Sequence, residues 1–174
     1  MVWTFRHAAL VASLCLVSAA APSRPFAPVE LAGGGVRLLS PAGKGGRLIA
    51  FGALKAATVA ALTRALGRPP QKKGANRECG GGPQTFVAWT GSLTLWFAGD
   101  GTFVGWDSHG RLATAQGLAL GSPRSVLRAV KGAHVEQSSL GTEFAAGALS
   151  GLLSSKGADA KVRALWSGST CVFR

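Results

Sequence analysis

Residues 84–106 read QTFVAWTGSLTLWFAGDGTFVGW, three short runs rich in β-branched and aromatic residues, separated by Thr90-Gly91 and by Gly99-Asp100-Gly101. Runs of this length and composition, bounded by glycine, are strand signals, and Asp-Gly between two of them is a hairpin signal. The stretch therefore predicts an antiparallel meander. Side chains alternate between the two faces of a strand, so the adjacent rings of Trp96 and Phe97 must part. One faces whatever covers the sheet, and the other is turned to the far side. That far side is either covered by the rest of the chain or open to a partner, and Trp96, Phe97, Trp106 and Trp89 are the candidate interaction surface.

Upstream, GALKAATVAALTRALGRPP at 52–70 predicts a helix: Val59, Leu62 and Leu66 recur at spacings of three and four, and Gly67, Pro69 and Pro70 stop it. Downstream, GLALGSPRSVLRAVKG at 117–132 repeats that order of events. It offers an apolar strand, Gly121, Ser122 as N-cap, Pro123 in the first turn, a stripe of Val126, Leu127 and Val130, and Gly132 as terminator. Behind it come AHVEQSSLGTEFAAG, ALSGLLSS, KVRALW and a closing strand at TCVFR. The expectation is an α+β fold: two tandem units, each one helix on a short antiparallel sheet, at 46–112 and 113–174, forming a single compact body. Residues 21–45 precede them as a proline- and glycine-rich arm and a first strand, with VRLLS and RLIAF joined by a turn.

The chain opens MVWTFRH and continues AALVASLCLVSAAAPSR. A short segment with Arg6, an apolar run and small residues at its end is the grammar of a secretory signal peptide. Residues 1–20 are read as that signal, with cleavage after Ala19 or Ala20, and the exported form as periplasmic or secreted. An uncleaved anchor would need roughly 18 to 20 apolar residues, and a lipid-attachment cysteine at Cys15 would want a small residue where Leu14 stands. Once Cys15 is removed, Cys79 and Cys171 remain. An even pair in an oxidising compartment reads as a disulfide. Without clustered ligands or a CxxC or HExxH spacing, no metal and no cofactor are expected.

The helix with its flanking glycine and Leu66-Gly67-Arg68-Pro69, together with LTLWFAGDGTFVGW, resembles the tandem units of the superfamily that includes the β-lactamase inhibitor protein and the small lipoproteins of outer-membrane assembly. ECGGGP, GTFVGW, SLGTEFAAGALSGLLSS and LWSGSTCVFR are also similar to a group of small exported bacterial proteins of unknown function. That superfamily works by protein contact, so the resemblance implies a binding or assembly role and brings no catalytic residue with it.

The net charge is +12, so an anionic envelope polymer, lipopolysaccharide or cell wall, is an alternative partner. Export and the lack of an RNA- or DNA-binding signature argue against nucleic acid. Catalytic spacings fail one by one. GALSG at 147–151 places its serine one position late for a nucleophile elbow, AGKGG lacks the first glycine of a phosphate loop, and DSHG at 107–110 reads as turn composition. Glu136 and Glu143 would face opposite ways on an unbroken strand, with Gly141 the place where it would break. The expected function is a non-catalytic envelope or extracellular protein-binding module with no membrane span after cleavage. A small hydrolase or oxidoreductase with an unfamiliar site is the other alternative.

Overall fold

The computed structural model describes Met1, residues 29–40 and residues 45–171. The residues read as a signal, Met1 apart, residues 21–28 and 41–44 of the arm, and the last three residues of the expected closing strand lie outside them. Strands β1 (Val29–Ala32), β2 (Gly35–Leu39) and β3 (Gly46–Ala50) form a three-stranded antiparallel sheet. The part of the arm at Val29-Glu30-Leu31-Ala32 is thus a strand, with Val29 and Leu31 buried and the intervening Glu30 paired to Arg37.

Helix α1 (Lys55–Leu66) ends at Gly67, whose left-handed φ of 66° closes it. It buries Thr58, Ala61, Leu62 and Ala65. After it come β4 (Lys72–Asn76), β5 (Gln84–Trp89), β6 (Leu93–Ala98) and β7 (Phe103–Ser108). Helix α2 (Arg124–Arg128) is five residues long, and β8 (His134–Ser138), β9 (Gly141–Ala146), β10 (Leu149–Leu153) and β11 (Val162–Gly168) follow. The eight strands from β4 onward make one antiparallel sheet in the order β4-β5-β6-β7-β11-β10-β9-β8.

That order overturns the expected pair of helix-on-sheet units and, with it, the resemblance to the β-lactamase inhibitor and assembly-lipoprotein superfamily. The protein is mostly β. Each helix does precede four strands, but β7 pairs directly with β11, so the strands close into one sheet instead of two. The second helix is also too short to cover four strands. Ser122 does not cap it: the N-cap is Pro123 without a side-chain bond, and the Ser122 hydroxyl accepts from Ala119 N and donates to the Gly117 carbonyl. This turn occupies the place where a strand at Gly117–Leu120 was expected.

One face of the large sheet carries the core. Val87, Trp89, Leu93, Leu95, Phe97 and Trp106 lie on it and are buried with Leu62 of α1 and Leu31, Val36 and Ile49 of the small sheet. Polar tips on this face find partners. Trp89 Nε1 donates to Arg68 O (3.0 Å), Trp106 Nε1 to Ala32 O (2.9 Å), and Ser167 Oγ stands 2.6 Å from both Gly33 O and Ala148 O. The contacts of Trp106 with Ala32 and of Ser167 with Gly33 tie the small sheet to the β7–β11 junction, because Trp106 and Ser167 are cross-strand partners. Gly105 and Gly168 are the next pair. A Cβ at Gly105 would sit 2.2 Å from the Ser169 carbonyl oxygen, so the chain leaving β11 can pass only because residue 105 has no side chain.

Cys79, between β4 and β5, is bonded to Cys171, 92 positions further along the sequence, with Cα atoms 4.9 Å apart. The bond fixes the chain beyond β11 against the β4–β5 end of the sheet, helped by Gln84 Nε2 donating to Ser169 Oγ at 2.6 Å. Closing so long a loop constrains the unfolded chain. Free-thiol titration of denatured, unreduced protein should find no thiol from these two cysteines. Cys171→Ser should lower the unfolding free energy by about 2 to 4 kcal/mol in a denaturant melt, and an unchanged midpoint would show that the tail is held without the bond.

Candidate functional site

The other face of the large sheet carries a cleft of about 470 Å³. Its walls are Trp96, Leu120, Leu152, Ala164 and Trp166, its polar lining includes Asp107, His109 and Arg163, and Cys171 closes one side. Register explains the grouping. Thr94 of β6, Asp107 of β7 and Trp166 of β11 stand in one cross-strand row, and Trp96 stands in the next beside Gly105. Glycine at 105 and 168 leaves that second row without side chains past Trp96.

Within the cleft, Asp107 is the hub. One carboxylate oxygen accepts from Trp96 Nε1 and the other is in contact with His109 Nε2. A carboxylate only accepts, so the proton of His109 sits on Nε2. The same nitrogen lies 2.9 Å from Thr94 Oγ1. His109 is held there by its backbone, whose N–H donates to Ser92 O at 2.8 Å. Gly110 makes the turn possible, since a Cβ at that position would meet the Gly91 carbonyl oxygen at 2.1 Å.

The hydrogen bond to Asp107 raises the His109 pKa above its ordinary value of 6.5, against partial burial, which lowers it, and the charge of Asp107 adds to the rise. Asp107, His109 and Thr94 are not arranged as a triad. A triad uses both imidazole nitrogens, one toward the acid and one toward the nucleophile, whereas Asp107 and Thr94 address the same Nε2. Ser108 also borders the cleft, but it is buried and is the cross-strand partner of Leu93, whose side chain lies on the core face.

Of the expected interaction surface, only Trp96 reaches the cleft, half-buried and 5.4 Å from the Phe86 ring. Trp89, Phe97 and Trp106 are fully buried on the core face and cannot present themselves to a partner. The division of Trp96 from Phe97 follows from strand alternation, which sends Phe97 beneath Lys55 of α1. DSHG is not simply a turn. Asp107 and Ser108 end β7, and Asp107 and His109, two apart, share a side of the chain. That spacing was the available signal for their contact.

Glu136 and Glu143 are direct cross-strand partners, because Gly141, with φ 117°, begins a new strand and folds one residue onto the other. His134 lies two residues along β8 from Glu136. Among the described residues, however, no group of three His, Cys, Asp or Glu side chains is placed to hold a metal ion. No helix among them is long and apolar enough to cross a membrane.

No family model matches this chain, and no curated protein matches it. A solved structure, that of the uncharacterized protein yfeY from Escherichia coli, is similar over 68% of this chain and 95% of its own, with 17% identity and a TM-score of 0.46. A similarity of that size assigns no activity to this chain.

The folded chain holds the His109 proton more tightly than the unfolded chain. This contribution to stability is therefore complete below the ordinary value of 6.5 and is lost as pH rises through the elevated folded value. With the His109 side chain 52% exposed, the effect is small. An imidazole titration followed by NMR should place the His109 midpoint above 6.5, and Asp107→Asn should move it down. An unmoved midpoint in that variant would show that Asp107 does not govern the histidine.

Proposed function

We propose that this protein is an exported, non-catalytic module that binds an envelope or extracellular protein through the cleft between Trp96 and Trp166. The observation that supports this reading is the make-up of the cleft: aromatic and aliphatic walls around polar groups already engaged with one another. Large rings bordered by a few oriented polar groups are the composition of protein contact sites, in which one or two aromatics carry most of the energy. Asp107 accepts from Trp96 and is in contact with His109, which orients the indole.

Export rests on the signal-like residues 1–20, and the Cys79–Cys171 bond fits an oxidising compartment. The positive charge of the exported form, one below the full chain's +12 because Arg6 leaves with the signal, would then act on encounter rate more than on affinity.

Protein recovered from its producing cell should have an intact mass that starts at Ala20 or Ala21. A photo-crosslinking residue at Leu152 should yield a discrete protein adduct that persists at high salt. Once that partner is isolated, Trp96→Ala should weaken binding by about 2 kcal/mol or more. Adducts that vanish with salt and ignore Trp96 would replace this reading with an anionic polymer, and substrate turnover by homogeneous protein would replace it with an enzyme.

A further inference from the structure

A second recess lies on the opposite face of the sheet, at its β4 edge. It has a volume of about 590 Å³ and is lined by Lys55, Ala56, Val59, Ala60, Pro70, Lys73 and Val87. Its floor is aliphatic, and cations stand at its borders. Lys73 and Val87 are cross-strand partners, so both project toward α1. Lys55 occupies the first turn of α1, the position a helix dipole disfavours for a cation, and no acidic residue accompanies it there. Its Nζ donates to Thr85 Oγ1 at 2.8 Å and lies 5.2 Å from the centre of the Phe97 ring.

Among the described residues, neither Lys55 nor Lys73 has a carboxylate within ion-pair distance. From Lys55 to Arg77 the sequence holds six cations, Lys55, Arg64, Arg68, Lys72, Lys73 and Arg77, and no Asp or Glu.

The strand beside this recess is an edge. Strand β4 pairs with β5 on one side and with no strand on the other among the described residues. Residues 72–75 are exposed. Lysines alone would only guard such an edge against indiscriminate pairing. Here Lys55, from a different element, lines the same recess as Lys73, and an apolar floor runs between them.

We propose that this edge is a docking site for an extended acidic peptide segment of a partner protein. The segment adds to β4 as a further strand, sets an aliphatic side chain between Val59, Ala60 and Val87, and places carboxylates against Lys55 and Lys73. Main-chain pairing supplies affinity in such strand addition, and the pockets supply selectivity. This site is separate from the Trp96 cleft and stands or falls independently of it.

The probe is a fluorescent peptide repeating Glu-Thr-Val-Thr, which sets glutamate and valine on one face of an added strand, titrated into the full chain by anisotropy. The wild type should bind it, and the Lys55→Gln, Lys73→Gln double variant should bind about tenfold more weakly or worse, about 1.4 kcal/mol. Trp96→Ala should leave binding unchanged, and far-ultraviolet circular dichroism should confirm that each variant is folded. A peptide N-methylated at alternate residues should fail to bind, as should one with lysine in place of glutamate. Equal binding of the N-methylated peptide, equal binding by the double variant, or no binding by the wild type would overturn the proposal. Anionic vesicles bound in place of the peptide would overturn it in favour of a lipid surface.

Discussion

Three cross-strand pairs hold the large sheet together across its middle: Asp107 with Trp166, Trp106 with Ser167, and Gly105 with Gly168. The strands on either side are long-range partners, one ending near the middle of the chain and the other near its close. Nothing local brings them together, and the cost of closing the intervening loop must be met by the contacts formed. Those contacts are concentrated at the junction. Trp106 and Ser167 reach the small sheet at Ala32 and Gly33, Gly105 admits the passing chain at Ser169, and the Cys79–Cys171 bond clamps the tail just beyond. If the junction were absent, the cleft would also be lost, since Trp96 and Asp107 come from one side of it and Leu152, Ala164 and Trp166 from the other.

The same junction separates two kinds of surface. The core face spends its tryptophans on burial, each indole N–H donating to a carbonyl of a covering element. The other face keeps Trp96 and Trp166 around a cleft and spends its polar groups on orienting one another. A buried indole needs an acceptor wherever it lies. For Trp89 and Trp106 that acceptor is the backbone, and for Trp96 it is Asp107, which in turn draws in His109 and Thr94. The polar cluster of the cleft is thus built around the requirement of one ring.

Much of the local structure was legible in the residues. Strand β5 matches QTFVAW, Gly67 ends α1, Asp100 accepts from Thr102 N at the hairpin, and the cysteines pair. What was not legible is what local pattern does not encode. Strand β4, Lys72-Lys73-Gly74-Ala75-Asn76, is exposed over residues 72–75 at an edge and so has no apolar alternation to read. Strand β1 hides in the arm, its two buried residues too few to make a period. Similar strand orders after two helix-like segments suggest two separate sheets within one body, because the pairing of β7 with β11 leaves no mark on either strand alone. At the cleft, alternation separated Trp96 from Phe97 but could not say which side was covered. Trp89 and Trp106 were misplaced for the same reason, while the i, i+2 relation of Asp107 to His109 was present and overlooked.

A sheet joined at β7–β11 should open as one cooperative unit. Native-state hydrogen exchange measures this directly, through the free energy at which each backbone amide opens. The amides of β5, β6 and β7 and those of β10 and β11 should converge on one global opening free energy as denaturant rises. Two separate values, one for residues 84–108 and another for residues 149–168, would mean that the halves unfold independently and that the junction does not make them one body.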